Sequence, residues 1–269
     1  MSVESEGFLR LSVFLSAFVV LAVAEALWPR RAIAVRARRW STNIALVVFN
    51  TVVLRLLFLV VPALTVLAAV YVEGRGWGVL PALGVTGLAG AALAFVVLDL
   101  AIYAQHVAFH FVPMFWRFHR VHHADTEFDV TTGLRFHIGE IFLSPAWKTI
   151  VVLTLGAPAI AVLAFEIALN ATSMFSHSNL HLEGGVDRWL RIATVTPEMH
   201  RVHHSIIMAE TNSNFGFNLS LWDRVFGTYR AASVGDQAVM PIGLGSYRGA
   251  KPSQFLWVIG FPFAPGPRA

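Results

Sequence analysis

The stretch from Asp99 to His123, DLAIYAQHVAFHFVPMFWRFHRVHH, decides the fold. Asp99, Tyr103, His106 and His110 advance by 4, 3 and 4 residues, and at about 100° per residue they share one helix face. They stand where an apolar run of spanning length becomes polar, aromatic and histidine-rich. His119, His122 and His123 follow as HxxHH, which again turns its imidazoles in one direction on a helix. A bilayer-crossing segment that leads directly into clustered imidazoles predicts a membrane protein with its chemistry at the membrane face.

All eleven histidines lie between positions 106 and 204, and ten fall into four groups. The second half of the set repeats the first: HxxxH at His177 and His181, then HxxHH at His200, His203 and His204. Four helices that converge would bring these imidazoles into one polar site. Imidazole suits iron, zinc, copper and nickel. A zinc site needs about three or four protein ligands, so ten are too many for one ion and about right for two. Two close metal ions, iron above all, suit oxygen activation. A lone histidine in such a place is more often a hydrogen-bonded or interfacial residue than a ligand, and the repeated spacing is what overrides that reading. Asp99 is costly in an apolar span unless paired or functional, and it is placed to accept a hydrogen bond from a ligating imidazole. Tyr103 is either a similar support or a packing residue.

Outward from this core, the chain of 269 residues is 56% hydrophobic and 13% charged, with 21 Phe and 8 Trp. With a mean hydropathy of +0.64, this excludes disordered, fibrous and ordinary water-soluble classes. The absence of cysteine excludes disulfides, thiolate metal sites and cysteine nucleophiles. A net charge of +4 is too small to suggest nucleic acid, because Arg30, Arg31, Arg36, Arg38 and Arg39 supply much of it in one loop. The positive-inside rule puts that loop in the cytoplasm.

The first apolar stretch, Leu9 to about Trp28, reads as a retained span rather than a cleaved signal. A second runs from about Thr42 to Val72, with Arg55 its one charge, and either spans with tilt or includes a lead-in helix. Glu73 to Trp77 is a polar turn, and Val79 to about Ala104 returns as the third span. The stretch Ile141 to Met174, broken at Gly156, Ala157 and Pro158, is expected to be a helical hairpin that enters and leaves on the cytoplasmic side, since one long span would part the histidine groups. Phe255 to Phe263 reads as interfacial. The expected fold is an all-α integral membrane protein with about four membrane-embedded helical elements and a histidine-rich helical cap on the cytosolic face. Its expected divisions are N-terminal membrane helices (1–98), a catalytic domain (99–230) holding the hairpin at about 141–174, and a tail (231–269).

Pro197 is placed to open the helix of the last group, with Thr196 as its cap and Glu198 in its first turn. No HExxH, serine elbow, phosphate loop or nicotinamide fingerprint is present.

Taken together, Asp99-x3-Tyr103-x2-His106-x3-His110, His119-x2-His122-His123, His177-x3-His181 and His200-x2-His203-His204 resemble the fatty acid hydroxylase and sterol desaturase superfamily of membrane-bound non-haem diiron oxygenases. Thr132, Arg135, His137, Glu140, Asn212-x-Asn214-Phe215-Gly216, Trp222-Asp223 and Phe226-Gly227-Thr228 are also similar to it, so that the likeness covers roughly residues 90 to 230. The resemblance implies a diiron centre held by His106, His110, His119, His122, His123, His177, His181, His200, His203 and His204. His137 is left as a supporting or structural residue. Asn212, Asn214 and Asp223 are candidates to orient ligating imidazoles, with turn capping as their other reading.

The activity implied is hydroxylation of a lipid C–H bond, in a fatty acyl chain, sterol or related lipid, with dioxygen as co-substrate. Desaturation, or oxidation of an ether lipid or carotenoid, is the alternative within the class. Phe109, Phe111, Phe115 and Trp116 either line a lipid entrance or form an interfacial belt. The 98 residues before Asp99 are taken up by membrane segments and the tail is short, so electrons are expected from a separate redox protein or reductase, which the arginine loop would help to dock. A polyhistidine metal transporter is the reading from another class, but it calls for ionisable residues near mid-bilayer in several spans. A bacterial inner membrane with the active site facing the cytoplasm is the expected location.

Overall fold

The computed structural model describes residues 3–58 and 64–265, all of it helices, turns and loops apart from isolated β-bridges. Helices α1 (Val3–Leu27), α2 (Arg36–Phe58), α3 (Leu64–Glu73), α4 (Val79–Ala82) and α5 (Gly87–Phe111) lead to α6 (Pro113–His123). Then come α7 (Ile138–Leu155), α8 (Ala159–Ser176), α9 (Gly184–Ala193) and α10 (Pro197–His203), followed by three short helices, α11 (Met208–Thr211), α12 (Leu221–Val225) and α13 (Phe255–Gly260). Among the described residues, four helices are long and apolar enough to cross a membrane: Ser5–Leu27, Gly87–Phe111, Ile138–Leu155 and Ala159–Ser176. The number agrees with the sequence, but the membership differs. The hairpin supplies two spanning helices of 18 residues each, about 27 Å at 1.5 Å per residue. The second apolar segment is instead divided between α2 and α3, with 59–63 outside the described residues. Polar Arg39, Asn43 and Asn50 turn inward along α2, so that helix serves the bundle interior more than the lipid.

The third span does not stop near Ala104. It continues as α5 through both of its histidines to Phe111, because nothing in 105–111 breaks the helix. At the hairpin tip Gly156 ends α7 with φ 70°, and a Cβ there would stand 2.2 Å from the Trp77 carbonyl oxygen. Glycine is required twice over at this position, for the left-handed turn and for the close approach of the Glu73–Trp77 turn. The Glu73 carboxylate accepts from the Ala159 backbone N–H at the start of α8. Leu98, Ile102, Val152, Val162 and Phe165 fill the space between α5, α7 and α8, with Phe95 edge-on to Phe165.

Charges absent from the sequence expectation also lie within these spans. On α8, Glu166 accepts from Arg10 of α1 at 2.5 Å and from Lys148 of α7 at 2.7 Å, while Arg10 also binds Glu6. Each charge is paired, as burial at membrane depth requires, and the cluster ties α1 to the hairpin.

At the histidine end a second ionic knot closes the cap. The fully buried Arg39 guanidinium donates to Asp125 at 2.5 and 2.7 Å and to Asp129 at 2.6 Å, and Trp40 also donates to Asp129. Burial works to raise the Asp125 carboxyl, but the neighbouring guanidinium outweighs it and holds the pKa at about 2. Arg39 therefore does more than mark topology: it fastens the loop that follows the second histidine group. The tail packs against the cap. Arg120 donates to the Phe261 and Ala264 carbonyls and Arg135 to that of Pro252, and Val258 and Phe261 are buried. At six residues α13 is too short to span, while exposed Leu256 and Phe263 leave it an apolar outer edge.

Replacing Arg39 with Leu strands two buried carboxylates, so it should cost about 3–5 kcal/mol. Arg38→Leu, at an exposed neighbour, should leave stability nearly unchanged. Thermal unfolding of both variants in detergent checks the difference.

Candidate metal centre

Four elements deliver the histidines. The last turns of α5 supply His106 and His110, and α6 supplies His119, His122 and His123. His177 is the C-cap of α8, and α10 with its C-cap supplies His200, His203 and His204. Thr196 caps α10 by accepting from the Met199 N–H, with Pro197 in the first position, as the sequence suggests. The HxxHH spacing places two neighbours on different sides of one helix, and the structure uses both sides. His106, His110, His119, His123 and His203 form one buried group, and His122, His177, His200 and His204 another, with each group's donor atoms within 4.8 Å of one another.

Within the groups, ring nitrogens face each other. His106 Nε2 is 3.1 Å from His119 Nε2, and His177 Nε2 is 3.0 Å from both His122 Nε2 and His200 Nε2. Two nitrogens about 2.1 Å from one ion and set about 90° apart would stand about 3 Å from each other. The outer nitrogens are held differently. Nδ1 of His119 lies 2.9 Å from Glu140 Oε1, that of His110 3.1 Å from Asn212 Oδ1, and that of His177 2.6 Å from the Ser173 carbonyl. Those of His106 and His203 lie 2.8 and 2.7 Å from the Phe215 and Ser213 carbonyls. An oxygen acceptor at Nδ1 requires the proton there, which leaves the Nε2 lone pair directed into the group. His110 Nε2, His123 Nε2, His203 Nε2 and both nitrogens of His204 are buried without a partner. Orphaned nitrogen atoms of one chemical kind, gathered in two buried groups beside five rings whose Nδ1 proton is fixed, fit transition-metal ions.

The electrostatics agree. Burial pushes the pKa of His122, His123, His200, His203 and His204 well below the usual value, and the surrounding imidazoles push in the same direction. Burial likewise lowers His177, to about 4, against the opposing bond from Ser173. Neutral imidazoles are the form that binds a metal.

Nine of the ten histidines expected as ligands thus meet, and His181 does not. Helix α8 ends at Ser176, so 177 and 181 no longer share a helix face, and His181 is exposed with its backbone N–H bound to the Trp28 carbonyl. Asp99 does not reach an imidazole. It accepts from Trp222 Nε1 at 2.9 Å and from the Leu219 and Asn218 N–H groups, which makes it the anchor of the loop before α12. Tyr103 bonds Thr228, which donates to Asp223, and Asp223 accepts from the Phe215 and Gly216 N–H groups. Asp223 and Tyr103 therefore act through backbone, by fixing the segment whose Phe215 carbonyl holds His106. Asn212 orients His110 directly. Asn214 sits at φ 52° and ties together the Met199 and Arg230 backbones, a turn role. His137 caps α7 through Gly139 and bonds the Ile259 carbonyl, apart from either group.

Sequence reasoning noted Glu140 as a similarity but did not count it among the site residues. Ser173, Ser213 and Phe215 contribute only carbonyls, which leave no side-chain signal. Phe109 and Trp116 pack on the histidines rather than at an entrance, and Phe115 packs on Phe109; Phe111 is exposed. The apolar cavity of about 300 Å³ lies elsewhere, among α1, α2, α5, α7 and α8. Its wall toward the metal groups is formed by Gly133, Glu140, Ser173 and Phe217. Each of these touches a histidine, Phe217 with its ring 4.9 Å from that of His106.

The sequence matches the fatty acid hydroxylase family over residues 91–228, just over half of the chain. It is 32% identical to the ornithine lipid hydroxylase OlsE of Rhizobium tropici, over 51% of this chain and 40% of that protein. It is 30% identical to human (Homo sapiens) alkylglycerol monooxygenase, over 51% of this chain and 30% of that protein. With human cholesterol 25-hydroxylase the identity is 26%, over 52% of this chain and 50% of that protein. The chain therefore spans half or less of the length of these relatives. No solved structure matches. The matched residues run from α5 to Thr228 and contain every histidine of both groups, and the chain belongs to the fatty acid hydroxylase family, within the fatty acid hydroxylase and sterol desaturase superfamily.

Proposed function

We propose that this protein is a membrane-bound diiron oxygenase that hydroxylates a C–H bond of a lipid. The observation that carries the reading is the placement of nine buried histidines, in two groups, against an apolar cavity set among membrane helices. When bound, two iron ions with dioxygen and external electrons supply the oxidising power for C–H hydroxylation. The chain's own residues do the rest. His106, His110, His119, His123 and His203 hold one ion, and His122, His177, His200 and His204 the other. Glu140 and Asn212 keep protons on the outer nitrogens of His119 and His110. The cavity takes an apolar chain from the bilayer and brings it to Phe217 and Gly133. Burial of every donor excludes bulk water from the centre.

Residues 99–230 serve as the catalytic unit in this reading, with 1–98 as its membrane support. Electrons come from a separate redox protein or reductase. The arginine loop lies at the histidine end of the bundle, since Arg39 reaches Asp125, and by the positive-inside rule that end faces the cytoplasm. A bacterial inner membrane is the location this favours. The similar proteins are hydroxylases and monooxygenases of lipids, which supports hydroxylation over desaturation. Within the spans Glu6, Arg10, Lys148 and Glu166 are paired with one another, while Glu25 and Asp99 are held by backbone N–H groups and Trp222, which leaves a metal transporter's row of free mid-bilayer ligands without support.

Anaerobically purified protein labelled with iron-57 should hold about two irons per chain with a coupled diiron Mössbauer signature. One tightly held zinc and no iron site would overturn the reading. Within the same assay His123→Ala and His204→Ala should lose metal, whereas His181→Ala should keep it.

Metal-free protein should also be acid-sensitive with a defined sign. The folded-state pKa values of six histidines outside the spans are lowered. The unfolded chain therefore takes up protons below its pKa of about 6.5 while the folded chain does not. Stability is full above about 6.5 and should fall as the pH drops from there toward 4, as thermal unfolding across that range would show.

A further inference from the structure

The cavity is apolar along Phe14, Leu54, Ile102, Ile141 and Leu169, yet polar side chains face it with hydrogen-bonding capacity to spare: the Glu140 carboxylate, whose Oε2 is buried without a partner, and four uncharged groups. Asn50 is 5% exposed. Its Nδ2 donates to the Phe136 carbonyl at 2.8 Å, which fixes the orientation of the amide, and its Oδ1 is buried without a partner. Gln105 Oε1 is also buried and unpartnered. The hydroxyls of Thr51 and Ser144 make no hydrogen bond among the described residues. A helix hydroxyl in apolar surroundings ordinarily turns back to a carbonyl one turn earlier. Thr154 and Thr172 of the same hairpin do this, to Ile150 and Ala168, whereas Ser144, like Thr149 of its own helix, does not.

Asn50, Gln105 and Ser144 lie at the metal end of the cavity. Gln105 directly precedes His106. Asn50 holds Phe136, whose ring stacks on His122 at 4.7 Å. Ser144 is one turn along α7 from Glu140, the partner of His119, a rise of about 6 Å. An unsatisfied acceptor in an apolar, membrane-buried site is unfavourable. Two such amide acceptors, with Glu140 Oε2 and two free hydroxyls, make a receptor for a hydrogen-bond donor.

Resting on the oxygenase reading above, we propose that Asn50 and Gln105, with Thr51 and Ser144, select a lipid that carries a hydroxyl or amide N–H within a few bonds of the carbon to be oxidised. The remainder of the cavity takes the adjoining hydrocarbon. A site built to satisfy a substrate donor discriminates against the analogue without one, because its own polar groups are then left unpaired. A bare alkyl chain end is the substrate this geometry disfavours.

The test is binding, read without turnover. Purified full-length protein is presented with a long-chain primary alcohol, a long-chain N-methyl amide and the alkane of equal length, and occupancy is followed by native mass spectrometry and by the shift in unfolding temperature. The alcohol, the amide or both should bind about tenfold or more tightly than the alkane, and the stronger of the two identifies the donor. Gln105→Leu should reduce that preference while keeping alkane binding. Its side chain makes no hydrogen bond within the described chain, so its removal leaves the fold intact. Asn50→Leu should do the same, with unfolding temperature reporting any loss of the Phe136 bond. Equal binding of all three lipids, or a preference unchanged in Gln105→Leu, would mean that water satisfies these groups, and it overturns the proposal while leaving the oxygenase reading in place. Failure of every lipid to bind folded, iron-loaded protein would overturn the cavity as a substrate site and with it both readings.

Discussion

Nine imidazoles, stripped of water and gathered with ring nitrogens facing one another, are the constraint from which the rest of the cap follows. Without a shared cation, nitrogens about 3 Å apart satisfy one another only in part, and several have no partner. Burial keeps the rings neutral, which is unfavourable for an isolated cluster and favourable for one that receives a metal. The fold therefore has to hold the ligand atoms inward before any ion arrives. It does so from outside the groups, by placing an oxygen at the Nδ1 atoms of His106, His110, His119, His177 and His203.

Three of those oxygens, on 212–215, belong to a segment held in turn by residues that never touch a histidine. Asp223 gathers the Phe215 and Gly216 amides, Asp99 gathers those of Asn218 and Leu219, and Tyr103 reaches Asp223 through Thr228. A single segment, 212–228, is thus suspended from buried carboxylates, and its carbonyls and Asn212 face three imidazoles. Arg39 performs the corresponding task on the other flank by clamping 125–132. Carboxylates and guanidinium of this kind are stable in the interior only because each is fully paired.

On the membrane side, the hairpin of α7 and α8 solves a geometric problem. Glu140 begins one helix and His177 ends the next, so a chain that crosses the bilayer and returns delivers both to the same centre. Gly156 permits the return, and the Arg10–Glu166–Lys148 cluster fixes α1 against it. The cavity is the space left between these helices where they meet the histidines, which is how an apolar space and the histidine groups come to share a wall.

The sequence by itself determined the class of protein, the helical spacing of four histidine groups and the chemistry of their donors, because 3.6-residue periodicity and composition are local properties. His106, His110, His119 and the last group were legible for that reason. Only the tertiary structure decided how nine rings divide between two groups, since HxxHH gives two directions and no indication of which ring joins which ion. It also removed His181, because a helix end at Ser176 cancels the periodicity on which the spacing argument relied. Asp99 departs from expectation for a related reason, and His137 was left between two readings by it: a buried carboxylate or a lone imidazole looks the same in sequence whether it supports a ligand or a backbone, and only the atom on the other side of the hydrogen bond distinguishes the two. The Arg39 knot, the charges paired within the spans, the carbonyls behind the imidazoles and the unpartnered amides of the cavity are all contacts between residues far apart in the chain, and no local pattern records them.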